Sequence, residues 1–353
     1  MVKNKKITTL ILLGLLISLR MLGQNEKNSD RYANEYKKYL SASCPLKPDS
    51  IKHFVYFARD RELIQDHPFL NIPRFVGAQI MYSWKQIEPE KGKFDFSVIR
   101  EDYKYLLSHG KKLFIQLQDA SFSPKYVGLP GYLLTDEYDK GAVPQFNGNG
   151  EISGWVAKRW NPKVQERFAL LMKALGKEFD GKVEGINLQE TAIEDISKID
   201  STFTQELYTE SLKINMLALK KAFPRSITMQ YANFVPGGWL RKSDKEYLHS
   251  IYQYGQEIGV GLGAPDLLIR KKEQLNHALA MMHEGKFSVP LGIAVQDGNY
   301  VEATGNNDVV INRKNIVPVL HAFAKDFLKV NYMFWACQEP YFTEDVIPCF
   351  IAK

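Results

Sequence analysis

The chain has 353 residues, of which 45% are hydrophobic and 24% charged, a composition that excludes a disordered or fibrous protein and calls for a packed core. Its formal charge of +6 and pI near 8.9 are inflated by five basic residues near the start, Lys3, Lys5, Lys6, Arg20 and Lys27, so the rest is close to neutral. No basic block interleaved with stacking aromatics occurs along the chain, and nucleic acid is therefore not an indicated partner.

The Lys-rich stretch Met1–Lys6, the apolar run Ile7–Leu19 and the small-residue end at Gly23 form the pattern of a secretory signal peptide over residues 1–23. The run is shorter than the ~20 apolar residues of a spanning helix, so a secreted or periplasmic mature chain without an integral span is expected. Residues 24–50 read as an N-terminal lead-in, and residues 51–353 as one domain. That length exceeds the ~100–200 residues common for a domain but suits an α/β barrel of ~250 residues with insertions.

Eight short β-branched or aromatic runs follow one another: Phe54–Ala58, Phe75–Tyr82, Lys112–Gln118, Val183–Gln189, Ser226–Tyr231, Gly259–Gly263, Val289–Val295 and Asn331–Ala336. Helical periodicity appears between them over Val98–His109, Pro162–Phe179, Phe203–Phe223, Lys242–Gln256, Lys271–Glu284 and Lys314–Leu328. Ser97, Asn161 before Pro162, and Ser243 with Glu246 read as N-terminal caps. Strand–helix alternation repeated eight times predicts the α/β class and a single-domain (β/α)8 TIM barrel. A doubly wound open sheet is disfavoured because its Gly-rich nucleotide loop is missing. The connection 119–160 is far longer than the ~2–6 residues of an ordinary βα loop and reads as a functional insertion. Of the three cysteines, Cys44 and Cys349 lie near the chain ends, which a barrel brings together, so a bridge between them is conceivable; Cys337 reads as a core thiol.

A barrel places its active site at the C-terminal ends of its strands. Four of the predicted strands end in Gln followed by an acid, at Gln118-Asp119, Gln189-Glu190, Gln296-Asp297 and Gln338-Glu339, and Asp266 closes a fifth. Side chains alternate along a strand, so one member of each pair faces the mouth. Cleavage of a glycosidic bond needs two carboxyl groups, one protonated and one ionised. For each acid the competing reading is a helix cap or an ion pair, and for Glu339, followed by Pro340, that reading is preferred. Tyr82, Trp84, Phe122, Tyr231, Phe234, Tyr300, Trp335 and Tyr341 offer faces on which sugars stack, and Gln118, Asn187, Gln230, Asn233 and Gln296 offer amides for hydroxyls. The seven histidines lack metal-ligand spacing, so no metal and no cofactor is expected. No Gly-x-Ser-x-Gly elbow occurs, and the Gly-rich piece 297–307 lacks the Lys and Ser/Thr of a phosphate loop.

The segment Tyr82-Ser83-Trp84-Lys85-Gln86-Ile87-Glu88-Pro89-Glu90-Lys91-Gly92-Lys93-Phe94-Asp95-Phe96 resembles the signature that follows the second strand of clan-A (β/α)8 glycoside hydrolases. Asn187-Leu188-Gln189-Glu190 is similar to the fourth-strand end of that clan. The resemblance implies Glu190 as general acid/base, Trp335 as an eighth-strand sugar contact, and a seventh-strand nucleophile. The clan has Glu there, whereas this chain has Gln296-Asp297. Asp297 is the first choice for the second acid, with Asp266, Asp119 and Glu339 open. The reading is an exported glycoside hydrolase, with Tyr82, Trp84, Gln118, Asp119, Asn187, Gln230, Asn233, Asp266, Gln296, Tyr300 and Trp335 around the sugar. The alternative is a barrel that binds glycan without cleaving it. A sugar lyase or isomerase would call for a Lys, His or metal at the mouth.

Overall fold

A computed structural model of the chain describes residues 32–147, 149–194, 196–237, 245–304 and 315–351. The expected signal segment, Lys242 and Ser243, Lys314 and the end of the Gly-rich piece lie outside them. The eight runs form eight strands, β1 Lys52–Tyr56, β2 Phe75–Ser83, β3 Lys112–Gln118, β4 Gly185–Leu188, β5 Ile227–Tyr231, β6 Gly261–Ala264, β7 Leu291–Val295 and β8 Tyr332–Ala336. They close into one barrel in which every neighbouring pair is parallel, from β1–β2 round to β8–β1. The (β/α)8 expectation holds. β3 falls where the sequence puts it. β1 begins two residues earlier than expected, and β6 and β7 begin two residues later.

Alternation decides what fills the barrel. Phe54, Phe114, Tyr332 and Phe334 meet as a cluster of rings, with Phe114 and Phe334 centroids 5.0 Å apart. Below them Glu184 accepts from Lys52 at 2.5 Å, Lys112 at 2.6 Å and the Tyr332 hydroxyl at 2.9 Å, and so ties the floor together. Above them the interior turns polar: the Gln79 amide donates to Asn187 Oδ1 at 2.8 Å and to the Tyr231 hydroxyl at 3.1 Å. A buried polar layer is tolerated only where partners or ligand meet its groups.

The helix Pro162–Phe179 starts as its sequence dictates, Asn161 Oδ1 accepting from the N–H groups of Lys163 and Val164. It buries Val164, Phe168, Leu171, Met172, Leu175 and Phe179 on one stripe. Ser97 is itself the first residue of Ser97–Ser108, and Asp95 takes its N–H. The helix expected from Lys271 to Glu284 is two, Lys272–Leu275 and Ala278–Glu284, broken at His277. The one expected to end at Leu328 runs as Val317–Ala322 and widens over Phe323–Leu328. The insertion folds into a three-stranded antiparallel sheet of Ala120–Ser121, Ile152–Ala157 and Ala142–Phe146.

The clan-like signature is a structural lock. Trp84 is fully buried, its indole N–H donating to Glu88 at 2.8 Å, and the same carboxylate accepts from the Gly92 N–H and pairs with Arg167. Gly92 sits at φ +77, which suits glycine.

The lead-in packs on the helical layer through Tyr39 against Phe323 and Tyr32 against Phe327. Asp49 is gripped there by Arg74 at 2.6 Å, His321 at 3.0 Å and His53 at 3.2 Å. Against the burial that on its own raises its pKa, the hydrogen bonds from His321 and His53 hold Asp49 well below the usual carboxylate range. His53 Nδ1 accepts from the Trp335 indole N–H at 3.2 Å, so His53 Nε2 carries the proton it gives to Asp49. Cys44 and Cys349 are joined as a disulfide that closes a separation of 305 residues. Cross-linking so long a loop removes up to about 5 kcal/mol of unfolded-state entropy. Guanidinium unfolding of the protein with and without reductant is expected to show a loss of at least about 2 kcal/mol on reduction, and equal midpoints would refute that contribution.

Candidate active site

The mouth is built from the strand ends upward. After β4, Gln189 turns outward and its Oε1 accepts from the backbone N–H groups of Asp119 and Ala120 at 3.2 and 2.8 Å, tying β4 to β3. Gln230 donates to the carbonyls of Gln189 and Tyr231 at 2.7 and 2.9 Å. Arg159 donates to the Glu190 carbonyl at 3.1 Å and to the Tyr208 hydroxyl at 2.7 Å, and Tyr208 donates to the Thr191 carbonyl at 3.0 Å. The guanidinium is itself clamped by both oxygens of Asp119, at 2.6 and 2.7 Å. With its backbone fixed from behind, Glu190 turns its half-buried carboxylate to the mouth, where Asn233 donates to it at 2.7 Å.

Burial and the nearby charge of Asp266 push the Glu190 carboxyl up to about 8, against the opposing pull of Asn233 and Arg159. Asp266 is raised by burial as well, although Asn299 donates to it at 2.9 Å. Asp297, half-buried after β7, is raised by burial and by the charge of Asp60. Asn299 organises this side, its Oδ1 accepting from the N–H groups of Leu267 and Gln296 at 3.0 Å each. The hydroxyl of Tyr56, at the end of β1, is raised far above its ordinary value by burial and by neighbours that include Tyr231, Asp297 and Glu190. Both acids that the sequence pairs act on it electrostatically.

Glu190, Asn233, Asp266, Gln296, Asp297 and Gln118 thus gather at the mouth, with Asn187 one layer beneath. Others face elsewhere. Asp119 and Gln230 point into the layer between strands and helices, where Asp119 holds Arg159 and Gln230 holds backbone. Tyr82 is buried there too and donates to Asp102 at 2.7 Å, while Trp84 is spent on Glu88. Trp335 alternates with the inward Phe334, so its ring packs on His53 and Phe350 and does not line the cleft. Tyr300 donates to the Ala336 carbonyl at 2.8 Å and stacks on Tyr341. Glu339 is exposed and bonds Thr343 at 2.6 Å, as the preferred reading of it has it.

Sequence reasoning missed Tyr56, because placing β1 two residues late made it look like mid-strand. Of the aromatics it named as platforms, Phe122 on the insertion is the open one, and it missed Tyr126 and Trp155 beside it on the same insertion. Phe122 is 59% exposed, and Tyr126 and Trp155 are partly open. The aromatic content of 119–160 was the available signal.

No family model matches the chain, and no curated protein matches it. Solved structures do. Endo-glycoceramidase II from Rhodococcus sp. shares 12% identity at a TM-score of 0.52, over 84% of this chain and 76% of that one. The catalytic domain of a β-amylase from Paenibacillus polymyxa shares 9% at 0.54, over 83% and 93%. A GH5_18 protein from Streptomyces cattleya, complexed with Manb1-4GlcNAc, shares 11% at 0.51, over 81% and 70%. At such identities the likeness is one of fold.

Two outcomes test the site. Asp119→Ala leaves Arg159 buried and unpaired and is expected to cost about 3–5 kcal/mol in urea unfolding, whereas the double variant Asp119→Leu/Arg159→Met recovers most of it. Asp266→Asn removes a like charge, which favours ionised Glu190, so the Glu190 titration followed by carboxyl NMR moves to lower pH. A titration that stays near 8 shows that Asp266 does not act on Glu190.

Proposed function

We propose that the chain is an exported glycoside hydrolase that cleaves a poly- or oligosaccharide with Glu190 as general acid and Asp297 as the ionised partner. The observation that carries this is the pair of half-buried carboxyls that follow β4 and β7 at the open end of the barrel, both raised by burial. A carboxyl raised to about 8 is largely protonated at neutral pH and is suited to donate a proton to the leaving oxygen. Asp297, whose carboxyl is raised by burial and by Asp60 and not by Asp266, supplies the negative charge that attacks the anomeric carbon or activates water. Asn233 orients the acid. Gln118, Gln296 and the insertion's rings contact the sugar, and no cofactor takes part. The fold shared with the glycosidases above supports this reading, and the bridge between Cys44 and Cys349 supports an oxidising compartment after removal of residues 1–23.

The test is release of reducing ends from a glycan panel. Glu190→Gln and Asp297→Asn are each expected to lose about 10³-fold or more in kcat while unfolding at the wild-type denaturant concentration. Activity should fall as pH rises through about 8, where Glu190 loses its proton. Full activity of Asp297→Asn with loss in Asp266→Asn would move the second role to Asp266. Glycan binding without cleavage by the wild type would make the barrel a binding protein.

A further inference from the structure

The arginines of the described residues have acidic partners with one exception. Arg61 is held by Asp102 and Glu101, Arg74 by Asp49, Arg100 by Glu178, Arg159 by Asp119, Arg167 by Glu88, Arg225 by Asp180 and Arg270 by Glu302. Arg59 forms no ion pair among the described residues. It is exposed, on the loop that leaves β1 just past Tyr56, and its guanidinium lies over the Tyr126 ring at 4.1 Å from the centroid. The loop is fixed. Ala58 sits at φ 47, and its carbonyl accepts from the Met81 N–H at 2.7 Å. Stacking on a ring orients a guanidinium while leaving the edge donors of its fork free.

The surroundings are equally unspent. A Cβ built on Gly128 would lie 3.5 Å from the Tyr126 ring and 3.8 Å from Gln118 Cγ, so the ring and the Gln118 side chain flank one spot. Gln118 is 4% exposed, and its Oε1 has no hydrogen-bond partner. A buried amide oxygen left open beside a cleft is an acceptor awaiting a donor. Arg59 stands three residues past Tyr56, and the ring it covers borders Gln118, so this cation belongs to the same mouth.

We propose that this mouth takes a glycan bearing a carboxylate, a uronic acid residue, which Arg59 binds through its free fork while Gln118 Oε1 accepts a hydroxyl of the same sugar. The proposal rests on the hydrolase reading above and names its substrate class. Asp297 and Asp60 would repel an anionic sugar from this side of the mouth unless a cation compensates, and Arg59, which forms no ion pair among the described residues, supplies it. A uronic acid supplies both partners the subsite lacks, an anionic acceptor for the arginine and hydroxyl donors for the amide.

The experiment compares kcat/KM on uronate-containing oligosaccharides with that on neutral counterparts of the same linkage. Arg59→Gln is expected to cut the acidic-to-neutral ratio about tenfold or more, through KM, and Arg59→Lys to keep part of it. Direct binding to Glu190→Gln, measured by calorimetry, should favour the uronate oligosaccharide and weaken at about 0.5 M salt. A ratio that Arg59→Gln leaves as it was, or tighter binding of sulfated than of uronate oligosaccharides, overturns the proposal. If no glycan is cleaved yet uronate binding is lost in Arg59→Gln, the hydrolase reading falls and the subsite stands.

Discussion

The clamp of Asp119 on Arg159 is the constraint on which the mouth depends. Both groups are buried, and two charges out of water are tolerated only when each satisfies the other's hydrogen bonds. The planar fork closes on both carboxylate oxygens, and its remaining N–H groups reach the Glu190 carbonyl and Tyr208. The pair therefore transmits the geometry of β3 and the insertion to the residue after β4. An isolated lysine would neutralise Asp119 without fixing a direction.

The interior is graded along the barrel axis. Charged groups plug the floor, aromatic rings fill the middle, amides and tyrosines come next, and carboxyls line the open end. That order matters for proton chemistry. The rings exclude water from beneath the acids, so burial raises Glu190, Asp266 and Asp297 together, and the hydrogen bonds from Asn233 and Asn299 then distinguish them.

Much of this was legible in the residues. Alternating strand and helix patterns gave the closed barrel, and the acids after β4, β6 and β7 do reach the mouth. What the sequence did not settle was facing. A strand end twists, and a shift of one residue exchanges mouth for helix layer. In Gln118-Asp119 the amide faces the mouth and the acid is spent behind it, while in Gln189-Glu190 the order is reversed. Trp335 and Tyr82 fell on the outer face for the same reason. The motif Trp84 to Phe96 was rightly singled out, yet its work is to lock the loop after β2 through Glu88. Tyr56, Arg59 and Tyr126 carry no motif, and only the fold brings them together.

The bond between Cys44 and Cys349 turns a linear polymer into a covalent ring spanning almost every element described here. For a protein exposed to proteases this changes what a single cut does. A nick in any surface loop inside the ring, the insertion at 119–160 included, opens the circle without parting the pieces, since the two fragments remain tethered at their far ends. Damage of that kind would pass unseen on a non-reducing gel, and the eight strands would stay together as one body.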